Sequence, residues 1–227
     1  MNDATKYSCY ATIEAARQKL LQREDAILVE DFGAGSSVNK TKKKIVGSVA
    51  KASLKPKKYA QLIFRIAKHY QTNTVLELGA SLGITTAYLS NATKSGKVFS
   101  LEGSESIAQI ATEQLQTIGA GNTEIIIGNF DDSLPKLLAA TGNLDLIFID
   151  GNHRELPTIA YFETCLANAH NDSIFIFDDI HWSKGMEAAW QRIKAHPDVT
   201  LTIDLFFIGV VKISRQFLQQ QHHVIRF

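Results

Sequence analysis

After Asn73 the chain settles into a rhythm of short apolar runs separated by helical stretches. The runs are residues 75–78, 98–101, 124–127, 144–149 and 173–177, each rich in the branched and aromatic side chains that favour strands. Helical patterns lie between them near 85–93, 106–118, 133–140 and 156–169. Strands joined through helices run parallel, since a tight turn only returns the chain antiparallel. A parallel sheet is covered on both faces, which is why its strands read as solid apolar runs. A further helical stretch, 184–195, precedes two strand candidates at 200–203 and 206–213. These two are too close together for a crossover helix and are expected to pair antiparallel. The predicted fold class is α/β: a Rossmann-like, seven-stranded, mostly parallel sheet with an antiparallel last strand and helices on both faces.

The first 72 residues have a different texture. Residues 10–25 read as an amphipathic helix with Ile13, Ala16, Leu20 and Leu21 on one side. A turn-rich stretch at 31–37 follows, a connecting loop or a lid. Further helices are expected over 42–52 and 56–70, the second opening on Pro56, whose missing N–H is no loss in a first turn. The expected division is an N-terminal helical cap or lid over residues 1–72 and a sheet domain over 73–227.

With 24 Lys and Arg against 23 Asp and Glu, the net charge of +1 argues against a nucleic-acid binder held by counterion release. The basic residues are unevenly placed. Residues 40–58 hold eight lysines and no acid, so the rest of the chain carries −7. Such a run is a solvated face or, more sharply, a rim that attracts an anionic substrate. No apolar run reaches the roughly 18–20 residues of a membrane span, and the N-terminus lacks the pattern of a secretory signal. A cytoplasmic protein away from membranes is expected. Cys9 and Cys165 match no metal or redox spacing and read as reduced thiols.

The densest motif is Val75-Leu-Glu77-Leu-Gly79-Ala80-Ser81-Leu-Gly83, a strand entering a glycine-marked bend before a helix. Glycine belongs where the backbone passes a ligand closely or takes positive φ, and the helix start offers free N–H groups. As a dinucleotide loop the motif is defective, because Ser81 stands where Gly-x-Gly-x-x-Gly needs glycine. As a nucleophile elbow, Gly79-Ala-Ser81-Leu-Gly83 fits Gly-x-Ser-x-Gly, but no earlier strand is expected to supply the oxyanion donor. The third reading is Glu-x-Gly-x-x-x-Gly with an acid, Glu102, closing the next strand 23 positions after Gly79. A carboxylate there can accept hydrogen bonds from both hydroxyls of a ribose.

With these residues the chain, from about Asn73 onward, resembles class I S-adenosylmethionine-dependent methyltransferases. The resemblance implies S-adenosylmethionine as cofactor. Glu77, Gly79, Ala80, Ser81 and Gly83 would line its loop, and Glu102 with Gly103 would hold the ribose. Asn129 and Phe130, after the third strand, would flank the adenine.

Carboxylates also close the fourth and fifth strands, at Asp150 and at Asp178-Asp179. Hard oxygens suit Mg²⁺, or Mn²⁺ or Ca²⁺; the structural alternative is helix capping. The pattern is similar to the catechol and caffeoyl-coenzyme A O-methyltransferase group, in which such positions bind a divalent ion. The resemblance implies Asp150, Asp178 and Asp179 as metal ligands, with Asp150 also near the cofactor. Two departures stand out. Asp179 replaces an amide, and His153 stands where the family uses a lysine base. Imidazole takes protons near neutral pH, so the exchange is chemically workable. His181 is a second candidate base, ligand or substrate contact, and Trp182 a candidate pocket wall.

The expected function is S-adenosylmethionine-dependent methylation of a hydroxyl on a small, anionic acceptor, assisted by a divalent cation and by His153, Asp150 and His181. A metal-independent N- or O-methyltransferase with a histidine base, and a non-catalytic cofactor-binding module, are the alternatives. A homodimer is compatible with the resemblance.

Overall fold

The computed structural model describes residues 5–31, 40–214 and 219–226. The elements run α1 (Cys9–Leu21), β1 (Ala26–Asp31), β2 (Lys40–Ile45), α2 (Val46–Ser53), α3 (Lys57–His69), β3 (Thr74–Leu78), α4 (Ile84–Ala92), β4 (Lys97–Glu102) and α5 (Glu105–Ile118). They continue as β5 (Thr123–Ile127), α6 (Phe130–Ala140), β6 (Leu144–Ile149), α7 (Glu155–Leu166), β7 (Ala169–Asp178), α8 (Lys184–Lys194), β8 (Leu201–Asp204), β9 (Ile208–Lys212) and β10 (Gln221–Val224).

The main sheet has the order β10-β8-β9-β7-β6-β3-β4-β5. β3 pairs in parallel with both β4 and β6, and β9 alone runs against its neighbours β7 and β8. The chain thus winds outward from β3 to β5, returns to β6 on β3's other side, and winds the opposite way. That reversal leaves a crevice at the carboxyl ends of β3 and β6, where open α/β sheets bind ligands. The expected class is borne out, with an eighth strand. β10 adds in parallel beside β8, so the tail at 221–224 is an edge of the sheet.

Both faces of the central strands are buried, on alternate residues. Val75, Leu146, Phe148, Ile174 and Ile176 pack with Ile63 and Ala67 of α3. Leu76, Leu78, Ile147, Ile149, Phe175 and Phe177 pack with Phe162 of α7 and Trp190 of α8. Each buried Val, Leu, Ile or Phe among them contributes about 1.5–3 kcal/mol through removal from water.

The N-terminal part corrects one expectation. Residues 42–52 are not one helix: β2 ends at Ile45 and α2 begins at Val46. β2 pairs antiparallel with β1, Leu28 opposite Lys43 and Val29 opposite Lys42. A lysine-rich segment has weak strand propensity, and here cross-strand pairing decides. Val29 is buried among Ile13, Leu20 and Val46, while the Ser106 hydroxyl at the start of α5 donates to Leu28 O at 2.6 Å. The turn expected at 31–37 falls, beyond Asp31, outside the described residues. The 72/73 boundary lies in the turn before β3, yet the core is shared across it. Ile13, Leu20, Val46 and Phe64 pack on Ile84, Tyr88, Ile110 and Leu115 of α4 and α5. Among the described residues no helix is long and apolar enough to cross a membrane.

Candidate active site

The bend after β3 is shaped by a close approach. Gly79 has φ +106°, and a Cβ there would lie 2.2 Å from the main-chain oxygen of Asp150 at the end of β6. No other residue fits that backbone without displacing a strand. Gly79 and Ala80 donate their N–H groups to Leu101 O at 2.9 and 3.0 Å, folding the bend toward β4. Ser81 also has positive φ, +46°, and its N–H donates to Glu102 Oε2 at 2.9 Å. Glu102 Oε1 accepts from Ser104 N at 3.0 Å. Burial raises the Glu102 carboxyl above its usual range, against the lowering effect of these N–H donors.

Glu102 and the bend open onto a cavity of about 630 Å³, within the roughly 300–1,000 Å³ typical of small-molecule sites. Gly79, Ser81, Glu102 and Gly103 line it together with Asn129, Phe130 and Asp150. Asn129 caps α6 by accepting from Asp131 N at 3.2 Å, which starts that helix at Phe130, earlier than its sequence pattern indicates. The Phe130 ring packs on Gly151, where an added Cβ would lie 2.6 Å from Cε2.

Three residues assigned to the loop lie off the cavity. Gly83 (φ +80°) lets α4 approach Ala111 of α5, and Ala80 is buried. Glu77 sits fully buried beneath the bend, Oε2 accepting from Thr86 Oγ1 at 2.5 Å and Ser100 Oγ at 2.6 Å. Its Oε1 has no partner, and burial pushes the carboxyl up to about 7. It holds the bend from below. Ser81 Oγ lies 2.7 Å from Ser53 Oγ, a hydroxyl pair joining the bend to the end of α2 and not a nucleophile with a histidine.

Asp150, His153, Asp178 and Asp179 all line the cavity. The ligand atoms that converge belong to Asp150, His153 and Asp178, within 4.8 Å of one another, and Asp179 is not among them. Asp179 takes φ +52° and donates its N–H to Phe207 O at 2.7 Å. His153 Nε2 lies 3.7 Å from Asp150 Oδ1.

Lys55, between α2 and α3, enters this group. Its ammonium contacts Asp178 Oδ2 and lies 3.5 Å from Asp150 Oδ2, and the residue is only 8% exposed. Burial alone would lower the lysine, but Asp150, Asp178 and Asp179 outweigh it and hold it charged. Burial and the neighbouring Asp150 raise Asp178 well above the usual carboxylate range, and burial raises Asp150 and Asp179 too. A divalent ion needs oxygens at about 2.0–2.6 Å. With the ammonium at the meeting point of the two carboxylates, the residues as arranged do not fit such an ion.

His181 lies apart. Its Nε2 is 2.8 Å from Asp204 Oδ2, its Nδ1 is 3.6 Å from Glu187 Oε1, and its ring stacks on Phe206. Asp204 also accepts from Trp190 Nε1 at 3.1 Å, so this is a brace between β8 and α8. Residues that the motifs did not single out include Tyr59, Phe207 and Lys51, which line the cavity beside the exposed Trp182. Of these, only Lys51 falls within the lysine run.

A glycine bend on a parallel sheet, an acid closing the adjacent strand, and a cavity at the topological reversal together define a class I methyltransferase fold. Residues 76–180 match the family described as methyltransferase domain. By fold the chain is similar to the O-methyltransferase TomG of Streptomyces achromogenes, involved in tomaymycin synthesis and solved with S-adenosylmethionine. The TM-score is 0.66 at 17% identity, covering 92% of this chain and 91% of that one. It is also similar to the Bacillus cereus O-methyltransferase in complex with S-adenosylhomocysteine (TM-score 0.63, 20% identity, 92% of each chain). The S-adenosylhomocysteine-bound methyltransferase PaMTH1 of Podospora anserina gives a TM-score of 0.69 at 14% identity, covering 94% of this chain and 91% of that one. No curated protein matches by sequence. Residues 76–180 thus match a methyltransferase domain, and the fold of the chain is that of these solved methyltransferases.

Proposed function

We propose that the protein transfers the sulfonium methyl of S-adenosylmethionine to a hydroxyl oxygen of a small acceptor. The observation that carries this reading is the sharing of one cavity by Glu102, the Gly79–Ser81 bend and His153. Glu102 accepts from Ser81 N, Ser104 N and the Gly103 N–H, and because it lines the cavity its remaining acceptor capacity would serve ribose hydroxyls. Asn129 and Phe130 would flank the adenine. The solved O-methyltransferases of the same fold carry S-adenosylmethionine or S-adenosylhomocysteine, which supports the assignment.

In the reaction the acceptor O–H gives its proton to His153 and the oxygen forms a bond to the methyl carbon. The C–S bond breaks in line, and its electron pair returns to sulfur. The products are a methyl ether, S-adenosylhomocysteine and a protonated imidazole. Asp150, 3.7 Å from His153 Nε2, is placed to stabilise that imidazolium. The protein's main contribution is to hold the two reactants about 3 Å apart in line.

Tyr59, Phe207 and Trp182 give the outer cavity aromatic walls, and Lys51 adds a positive charge. The aromatic walls favour a flat acceptor, and Lys51 and Lys55 offer cationic partners to an acidic group on it, opposed by Glu30 on the same lining. The test is release of S-adenosylhomocysteine from S-adenosylmethionine across a set of hydroxylated aromatic acids. Turnover that disappears in His153→Ala supports the reading; turnover unaffected by that change removes His153 from the reaction.

A further inference from the structure

We propose that the Lys55 ammonium is the cation this site presents to the acceptor oxygen, in the place a divalent metal ion would otherwise take. The inference deepens the proposed O-methyl transfer and rests on that reading.

Lys55 is the one buried lysine among the described residues, although it belongs to a run whose other members are exposed or half-buried wherever their side chains are described. Its backbone is anchored. Ser53 Oγ donates to Val49 O at 2.9 Å and pairs with Ser81 Oγ at 2.7 Å, and Pro56 fixes the chain on the other side. The segment carrying Lys55 is thereby fastened to the bend assigned to the cofactor. From there the side chain reaches the carboxylates of Asp178 and Asp150, closing strands β7 and β6.

An ammonium is a compact point charge with three N–H donors. One is donated to Asp178, Asp150 lies 3.5 Å away as an ion-pair partner, and because Lys55 lines the cavity a remaining N–H can be offered to a ligand oxygen. An acceptor oxygen held there gains negative charge as its proton leaves, and a fixed positive charge favours that change. A metal ion would serve the same end, but its oxygens must come within about 2.6 Å, in a space that Nζ fills. Asp150, His153 and Asp178 do converge within 4.8 Å, so it is the ammonium between the two carboxylates, and not a lack of donors, that stands in the ion's place. Asp179, which a three-aspartate metal site requires, lies outside the converging group.

The experiment is a Mn²⁺ titration followed by electron paramagnetic resonance, on the full chain with and without S-adenosylhomocysteine. The wild type should leave the free Mn²⁺ signal intact at concentrations where Lys55→Gln depletes it, with affinity at least about tenfold higher in the variant, because one like charge near the site is gone. Lys55→Arg, which keeps the charge, should behave as wild type. Mn²⁺ uptake by wild type equal to that of Lys55→Gln, or no uptake by a folded Lys55→Gln, overturns the proposal. Should Lys55→Gln not fold, wild type and Asp178→Asn decide. Mn²⁺ bound by the first and lost in the second overturns it, and absence of binding in both upholds it. Failure of S-adenosylhomocysteine to bind counts against the proposed function alone, since the Mn²⁺ titration is also read without it.

Discussion

The main-chain N–H of Ser81 donates to Glu102 Oε2 at 2.9 Å, tying the glycine bend after β3 to the acid that closes β4. The loop proposed for the amino-acid part of the cofactor and the carboxylate proposed for its ribose are therefore one unit. Glu102→Ala removes the ribose acceptor and also frees Ser81 N. Its affinity for S-adenosylhomocysteine should fall by roughly 1.5–3 kcal/mol, the size of lost charge-assisted hydrogen bonds. Calorimetry measures this directly, and an unchanged dissociation constant would remove Glu102 from the site.

Gly79→Ala should be harmful to folding as well as binding. The residue has φ +106°, and its Cβ would meet Asp150 O at 2.2 Å, so β3 and β6 must separate. Stability should drop by more than about 1 kcal/mol, read from the urea midpoint. A midpoint equal to wild type would mean the strand ends are not held as described.

Glu77 gives the fold a pH dependence of definite sign. Burial raises its carboxyl from 4.5 to about 7, so the native state holds a proton that the unfolded chain releases above pH 4.5. Its effect on stability is therefore absent below that value, and the native state weakens as pH rises toward 7. The difference levels off above it, on the order of 3 kcal/mol. Glu77→Gln keeps an oxygen for Thr86 and Ser100 and has no proton to lose. Urea unfolding from pH 4 to pH 8.5 should show wild type losing stability relative to this variant as pH rises. Parallel curves would contradict the burial of an ionisable Glu77.

His153→Ala should reduce methyl transfer by about 10²–10⁴, the usual contribution of a positioned base, while affinity for S-adenosylhomocysteine stays at the wild-type value. Product formation measured beside cofactor titration separates the two effects. A parallel loss of both would make His153 a binding residue.

The sheet was legible because its central strands are buried on both faces, so that residues such as Leu146, Ile147, Phe148 and Ile149 announce themselves as an unbroken apolar run. β2 was hidden for the opposite reason. Lys42, Lys43 and Lys44 face water, and only pairing with β1 makes them a strand. β10 is likewise a polar edge defined by its neighbour. At the site, Gly79 and Glu102 could be read because their spacing follows from local geometry. Lys55 could not, because its burial depends on Asp150 and Asp178, distant in sequence, and within a run of eight lysines nothing but the following Pro56 sets it apart. The pairing of His181 with Asp204 is hidden for the same reason, since Asp204 arrives from a later strand.

The central claim, that the bend and Glu102 together grip an adenosine-bearing sulfur compound, is tested most directly by titrating the purified wild-type chain with S-adenosylhomocysteine in a calorimeter. The account predicts saturable binding with one molecule per chain. A flat titration, together with a melting temperature that excess ligand does not raise, would contradict it.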